Sequence, residues 1–273
     1  MRFSFWRLMS TWTKTRGRHL TIIRGVDEEP LPKTLHITNN GKTGVSVDFP
    51  PHRTCTPTAV CMGEGKESAS CYALSGFMTY SQTVRCHARN LRLVNHLETA
   101  SYSEVRAVAA NLWQQLPRGR NWIRWNGAGD LVPGACRLIN AFTRYHPDIL
   151  VWVTTRKPEM VQLLRDRASL FLTLSLDKST PTKVGIRLRA QAERFVLGQA
   201  KLSYTRVSEA DTPPPDVWVV FNKHVGGHRY AWKHKRVCPA TLPDVPHENA
   251  CENCRHCFGG LNRRPRVHLP SDD

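Results

Sequence analysis

Asn121-Trp122-Ile123-Arg124-Trp125-Asn126-Gly127-Ala128-Gly129-Asp130 is the stretch from which the fold can be read. Trp122, Ile123 and Trp125 predict a strand, Asn126–Asp130 a loop at its C-terminal end, and Pro133–Tyr145 a helix that begins on proline. The same unit then recurs. Ile149–Val153 predicts a strand, Thr154–Lys157 a loop and Pro158–Arg167 a helix. Leu170–Leu174 predicts another strand, followed by a Ser175-Leu176-Asp177 loop and a helix over Thr182–Leu197. Lys201–Tyr204 and Val217–Phe221 read as later strands. Apolar strands alternating with helices predict an α/β fold, either a parallel sheet or a (β/α) barrel. Functional groups of such folds sit in loops leaving the C-terminal strand ends, and here those loops carry Asn126, Gly127, Gly129, Asp130, Thr155, Arg156, Ser175 and Asp177.

Upstream, residues 1–19 read as a basic, aromatic arm and Leu20–Arg24 as a short strand. Leu35–Asn40 and Val45–Phe49 flank Asn39-Asn40-Gly41 and predict a strand pair with a tight turn. Pro50-Pro51 then stops regular structure. Helical spacing follows over Leu74–Leu97 and Ser103–Leu116, with Ser101 or Ser103 as N-cap of the second helix. The organisation expected is an arm with short strands (1–49), a central α/β unit (50–221) and a basic, cysteine-rich extension (222–273).

The chain has 39 Lys and Arg against 22 Asp and Glu, a formal charge of +17. That excess points to a polyanionic partner, nucleic acid first. The longest apolar runs fall far short of the roughly 20 residues that span a bilayer. The aromatic N-terminus is broken by Arg7 and lacks a cleavage site, so a cytoplasmic protein is expected. In a reducing compartment, clustered cysteines indicate metal or redox chemistry rather than disulfides. Seven of the nine cysteines fall into two clusters, leaving Cys86 and Cys136 as ordinary core residues.

The first cluster, Cys55, Cys61 and Cys71, is spaced by five and then nine residues within a segment that has no helical or strand period. Three thiolates can hold a [4Fe–4S] cluster with one iron open, or zinc completed by a histidine such as His52 or His87. The second is Cys238-Pro239, then Cys251-x2-Cys254-x2-Cys257. Four thiolates suit a second [4Fe–4S] cluster or tetrahedral zinc.

The Cys…Cys…Cys-Tyr-Ala loop, Asn-Gly-Ala-Gly-Asp, Thr-Thr-Arg-Lys-Pro, Ser-Leu-Asp and the terminal Cys-Pro…Cys-x2-Cys-x2-Cys-Phe together resemble the phage-encoded Gene product 88 family over residues 50–260. That family is similar in outline to radical S-adenosylmethionine (SAM) enzymes. The resemblance implies a partial (β/α) barrel of radical-SAM type, with Cys55, Cys61 and Cys71 holding a cluster that chelates SAM. It further implies a 5′-deoxyadenosyl radical that abstracts a substrate hydrogen. Tyr72, Asn126, Gly127, Gly129, Asp130, Arg156, Ser175 and Asp177 would line the cofactor, and a flavodoxin or ferredoxin would supply electrons. The usual radical-SAM cysteines are spaced by three and two residues, from which this chain departs. The basic charge makes a nucleic-acid base or nucleotide, phage DNA included, the expected substrate. The rivals are a zinc-stabilised nucleic-acid-binding protein without catalysis and a radical enzyme acting on a peptide or protein.

Overall fold

A strict period of two runs through strand β5 (Leu170–Asp177). Leu170, Leu172, Leu174 and Leu176 enter the main core, which places Phe171, Thr173, Ser175 and Asp177 on the opposite face. The computed structural model describes residues 16–40, 44–56, 76–206, 211–222, 224–225, 228–229 and 238. Its centre is a seven-stranded sheet in the order β1-β2-β3-β4-β5-β6-β7. These strands are β1 (Ile37–Asn40), β2 (Gly44–Val47), β3 (Trp122–Trp125), β4 (Leu150–Thr155), β5, β6 (Gln199–Arg206) and β7 (Val219–Asn222). β1 pairs antiparallel with β2, as the predicted hairpin requires, and every later pairing is parallel. A two-residue pair, β8 (His224–Val225) and β9 (His228–Arg229), follows.

Strict sequential order with same-handed crossovers places successive helices on one side of the sheet. Helices α3 (Ser81–Leu97), α4 (Tyr102–Gln114), α5 (Pro133–Tyr145), α6 (Pro158–Val161) and α7 (Thr182–Glu193) all join one core with alternate residues of β2 to β6. Trp125, Phe142 and Leu138 are fully buried there. Each such side chain contributes about 1.5–3 kcal/mol on leaving water. The face opposite these helices carries the other alternate set, including a cluster of Trp122, Trp152 and Phe171. The expectation of an α/β chain with a mostly parallel sheet is met. The strand order is one that a (β/α) barrel would also have.

Several boundaries differ from the sequence reading. Residues 16–27 form a helix, α1, where a strand over Leu20–Arg24 was expected. The β-branched run Thr21-Ile22-Ile23 favours a strand locally, but Ile23 and Val26 pack against Val84 and Ala88 of α3. Arg92 of α3 donates to the carbonyls of Val26 and Glu29 at 2.7 and 2.5 Å, which satisfies the end of α1. α3 starts later than Leu74, after a 3₁₀ turn at Gly76–Thr79. α6 is a single turn, because Asn140 receives the Arg165 N–H and donates to the Leu163 carbonyl, bending the chain out of the helix. β5 runs on through Ser175, Leu176 and Asp177, which were expected in a loop.

Candidate functional site

The parallel strands β2 to β6 deliver their ends to one pole of the sheet, and buried polar groups gather there. After β2 the chain reaches Asp48, which is fully buried. Its carboxylate accepts from the Thr38 and Ser46 hydroxyls at 2.6 and 2.7 Å and from the Ala128 N–H at 2.7 Å. The Asn90 amide of α3 donates to the Asp48 and His36 carbonyls and receives the His36 N–H. The β2 end is thereby fixed to α3 and to the loop after β3.

Pro50 leads into a one-turn helix, α2 (Pro51–Thr54), whose C-cap is Cys55. The Thr54 hydroxyl donates to the Pro50 carbonyl at 3.1 Å and receives the Asp130 N–H at 2.9 Å. Phe49 N–H also donates to the Ala128 carbonyl at 3.0 Å. Phe49 and Thr54, just before Cys55, are thus held against the Asn126–Asp130 turn.

Gly127 and Gly129 allow this approach. A Cβ on Gly127 would lie 2.5 Å from Asp48 Oδ1. A Cβ on Gly129, at φ +79°, would lie 2.6 Å from both the Phe49 carbonyl and Thr54 Oγ1. Asn126 also takes a left-handed conformation, φ 60°, and donates its amide to the Thr154 carbonyl at 2.9 Å. Asp130 accepts from Thr155 Oγ1 at 2.6 Å, from Leu131 N–H at 2.7 Å and from Arg156 N–H at 3.3 Å. Burial pushes its carboxyl pKa up, against the pull of Thr155 and Lys157. The N-cap of α5 is Val132, so Asp130 acts as the hub of its turn and not as a helix cap.

Arg156 and Asp177, both expected at the site, pair with each other across the ends of β4 and β5. Burial raises the Asp177 carboxyl, but Arg156 and Ser179 outweigh it and hold the group below its ordinary range. Ser175 is buried in β5 beside Ser203 of β6. On the same face, Arg124 lies 4.5 Å over the Trp152 ring, and Trp152 Nε1 donates to Thr173 Oγ1 at 2.8 Å.

Four buried polar atoms at this pole and face, Arg124 Nε, Asn126 Oδ1, Thr154 Oγ1 and Ser203 Oγ, have no hydrogen-bond partner among the described residues. Such orphans are uncommon in folded proteins. They offer both donors and acceptors to a polar ligand. Of the four, sequence reading had found Asn126 only. The period of two in β5 was the available signal for the face opposite the described helices. Asp48 and Asn90 carry no such signal in the sequence.

The cysteines divide differently. Cys55 follows α2, and the Cys238 N–H donates to the Val220 carbonyl of β7 at 2.9 Å. Cys61, Cys71, Tyr72, Cys251, Cys254 and Cys257 lie outside the described residues. Among the described residues no group of three His, Cys, Asp or Glu is set to hold a metal ion. Cys86 and Cys136 are buried, as expected of core residues, and burial pushes the Cys136 thiol up to about 12.

Beside Cys55, His19, His52 and His87 line a cavity of about 10 Å³, room for a single water. The Nε2 of each is buried without a hydrogen-bond partner among the described residues. His87 Nε2 stands 4.0 Å from Asp48 Oδ2. Burial lowers all three pKa values, that of His52 to about 4.

A family model described as Gene product 88 matches residues 23–260, a span that includes the whole sheet and all seven clustered cysteines. No curated protein and no solved structure matches the chain.

Proposed function

This chain belongs to the Gene product 88 family, and from that premise we propose that it is a radical-SAM-like iron–sulfur enzyme that modifies a nucleic-acid base or nucleotide. The observation that carries the proposal is the set of orphaned polar atoms on Arg124, Asn126, Thr154 and Ser203. They lie towards the strand ends near Cys55, on the face of the sheet opposite the described helices α3 to α7.

In this reading Cys55, Cys61 and Cys71 hold one [4Fe–4S] cluster, and Cys238, Cys251, Cys254 and Cys257 hold a second cluster or zinc. Bound there, such a cluster would supply one-electron reducing chemistry towards the SAM sulfonium, the electron coming from a flavodoxin or ferredoxin. The chain's own residues provide position and electrostatics. Arg124 offers a cationic donor and Asn126 Oδ1 an acceptor for an ammonium or hydroxyl, while Thr154, Ser175 and Ser203 offer hydroxyls for a ribose. Gly127, Gly129 and Asp130 shape the turn that brings Asn126 to the pole. The Arg156–Asp177 pair braces the adjoining strand ends, which makes it a support and not a ligand. The sheet then forms a partial (β/α) barrel whose polar face is the inside. The charge of +17 favours a polyanionic substrate. No described helix is long and apolar enough to cross a membrane.

Reductive cleavage of SAM to 5′-deoxyadenosine, assayed anaerobically, tests the proposal. The wild-type protein should form 5′-deoxyadenosine, a Cys71→Ser variant should not, and a Cys136→Ala variant should retain activity. No product from iron-loaded wild-type protein would remove the radical reading.

A second reading has one observation in its favour. His52 precedes Cys55 by three residues and presents a buried Nε2 without a hydrogen-bond partner among the described residues. A Cys3His zinc site would use it.

A further inference from the structure

At the pole opposite Cys55, an opening of about 200 Å³ lies between the end of α5, the segment leading into β5 and the turn between α7 and β6. Arg144, Pro147, Asp166, Arg167, Ser169 and Leu197 line it. The volume is several times the ~30 Å³ that one water occupies in the liquid. Ser169 is 3% exposed, and neither its Oγ nor Arg167 Nε has a hydrogen-bond partner among the described residues. Their backbones are fixed: the Ser169 carbonyl accepts from Val151 N–H at 2.7 Å, and the Arg167 carbonyl from Leu170 N–H at 2.9 Å. The one carboxylate on the wall, Asp166, accepts from the amides of Val196, Leu197 and Gly198 at 2.8, 2.8 and 2.7 Å. It is thereby engaged in closing its turn. Two arginines and a serine then line an opening whose one carboxylate among the described residues is engaged, a residue set that suits an anion.

What adjoins the opening narrows the choice of anion. Arg144 donates to the Tyr102 hydroxyl at 3.3 Å and lies 5.9 Å from the Tyr145 ring centroid, while Arg106 covers that ring at 4.9 Å. Trp113 stacks on His146 with centroids 5.2 Å apart and planes 6° from parallel. Tyr102 and Trp113 stay 47% and 46% exposed. Guanidinium groups beside exposed aromatic rings are the means by which proteins hold single-stranded nucleic acid, through phosphate contacts and base stacking. The α5 C-terminus alone would repel an anion, so the site depends on its arginines.

We infer that this opening docks a phosphate of a nucleic-acid strand, at a place distinct from the chemistry. The eight residues of β5 put the two poles about 25 Å apart. Docking here therefore anchors the polymer rather than presenting the reacting base. The inference rests on the nucleic-acid part of the proposed function and is independent of the cofactor.

The test is fluorescence anisotropy with a labelled single-stranded DNA of about 12 nucleotides, across a salt series, with inorganic phosphate as competitor. Arg144→Gln and Arg167→Gln should each weaken binding about tenfold and make the salt slope shallower by about one. Arg187→Gln, the same charge change on exposed α7, should leave both unchanged. Arg144 is exposed, so its variant tests the site even if the Arg167 variant misfolds. Wild-type-like affinity in both pocket variants would overturn the docking site and spare the nucleic-acid substrate. Absence of binding by the wild type at low salt would overturn both. Tighter binding of a polyglutamate peptide than of DNA, lost in Arg144→Gln, would assign the opening to a protein partner instead.

Discussion

The N–H of Asp130 donates to the hydroxyl of Thr54 at 2.9 Å, joining the turn after β3 to the residue before Cys55. Through this bond the segment leading to Cys55 is tied to the sheet. Thr54→Val removes the hydroxyl, keeps the shape and leaves a buried N–H without an acceptor. The expected loss is about 1–3 kcal/mol in a urea titration. A Thr54→Ser variant, which keeps the hydroxyl, should recover most of it.

Gly129→Ala tests the same contact from the other side. The new methyl would meet the Phe49 carbonyl and Thr54 Oγ1, in a backbone conformation that alanine disfavours. Left-handed strain and overpacking together should cost about 2–5 kcal/mol. An unchanged melting temperature would mean that the two loops do not touch.

Arg156→Met leaves the Asp177 carboxylate buried with its main cationic partner gone. A loss of about 3–5 kcal/mol is expected, and pairing Arg156→Met with Asp177→Asn should give less than the sum of the single losses. Because the Asp177 pKa is held low in the fold, the stabilisation is present above the ordinary carboxylate pKa. It should disappear as the pH falls through the folded value, and the wild-type and Arg156→Met denaturation midpoints should converge in acid.

The histidines beside Cys55 impose a second pH dependence. Burial lowers the pKa of His19, His52 and His87, so the unfolded chain binds more protons below the ordinary imidazole value of about 6.5. Stability should be level above that value and decline as the pH drops towards about 4, the folded value of His52. Chemical denaturation midpoints at several pH values measure the slope. His52→Gln should flatten it, and an identical slope in that variant would refute the assignment.

Much of the fold was legible because its signals are local. The strand near Trp122–Trp125 and the Pro133 start of α5 lie where the sequence predicts them. Ser101 caps α4 in a box with Glu104, one of the two residues expected to do so. What escaped depends on contacts distant in sequence. Thr21-Ile22-Ile23 reads as a strand until Val84 and Ala88 of α3 are known to cover it. Asp48 looks like an end-of-strand carboxylate until Thr38, Ser46 and Ala128 are seen to surround it. Arg156 and Asp177 each looked available to a ligand, since nothing local shows that they face each other across adjacent strands. Arg124, Thr154 and Ser203 were hidden among apolar neighbours, because only the pairing of β3 to β6 shows that they share a face.

Metal and acid-labile sulfide analysis after strictly anaerobic purification tests the central claim most directly. A brown protein with iron and sulfide in roughly equal amounts is predicted, with both reduced in a Cys55→Ser variant. A colourless protein carrying stoichiometric zinc and no iron would contradict it.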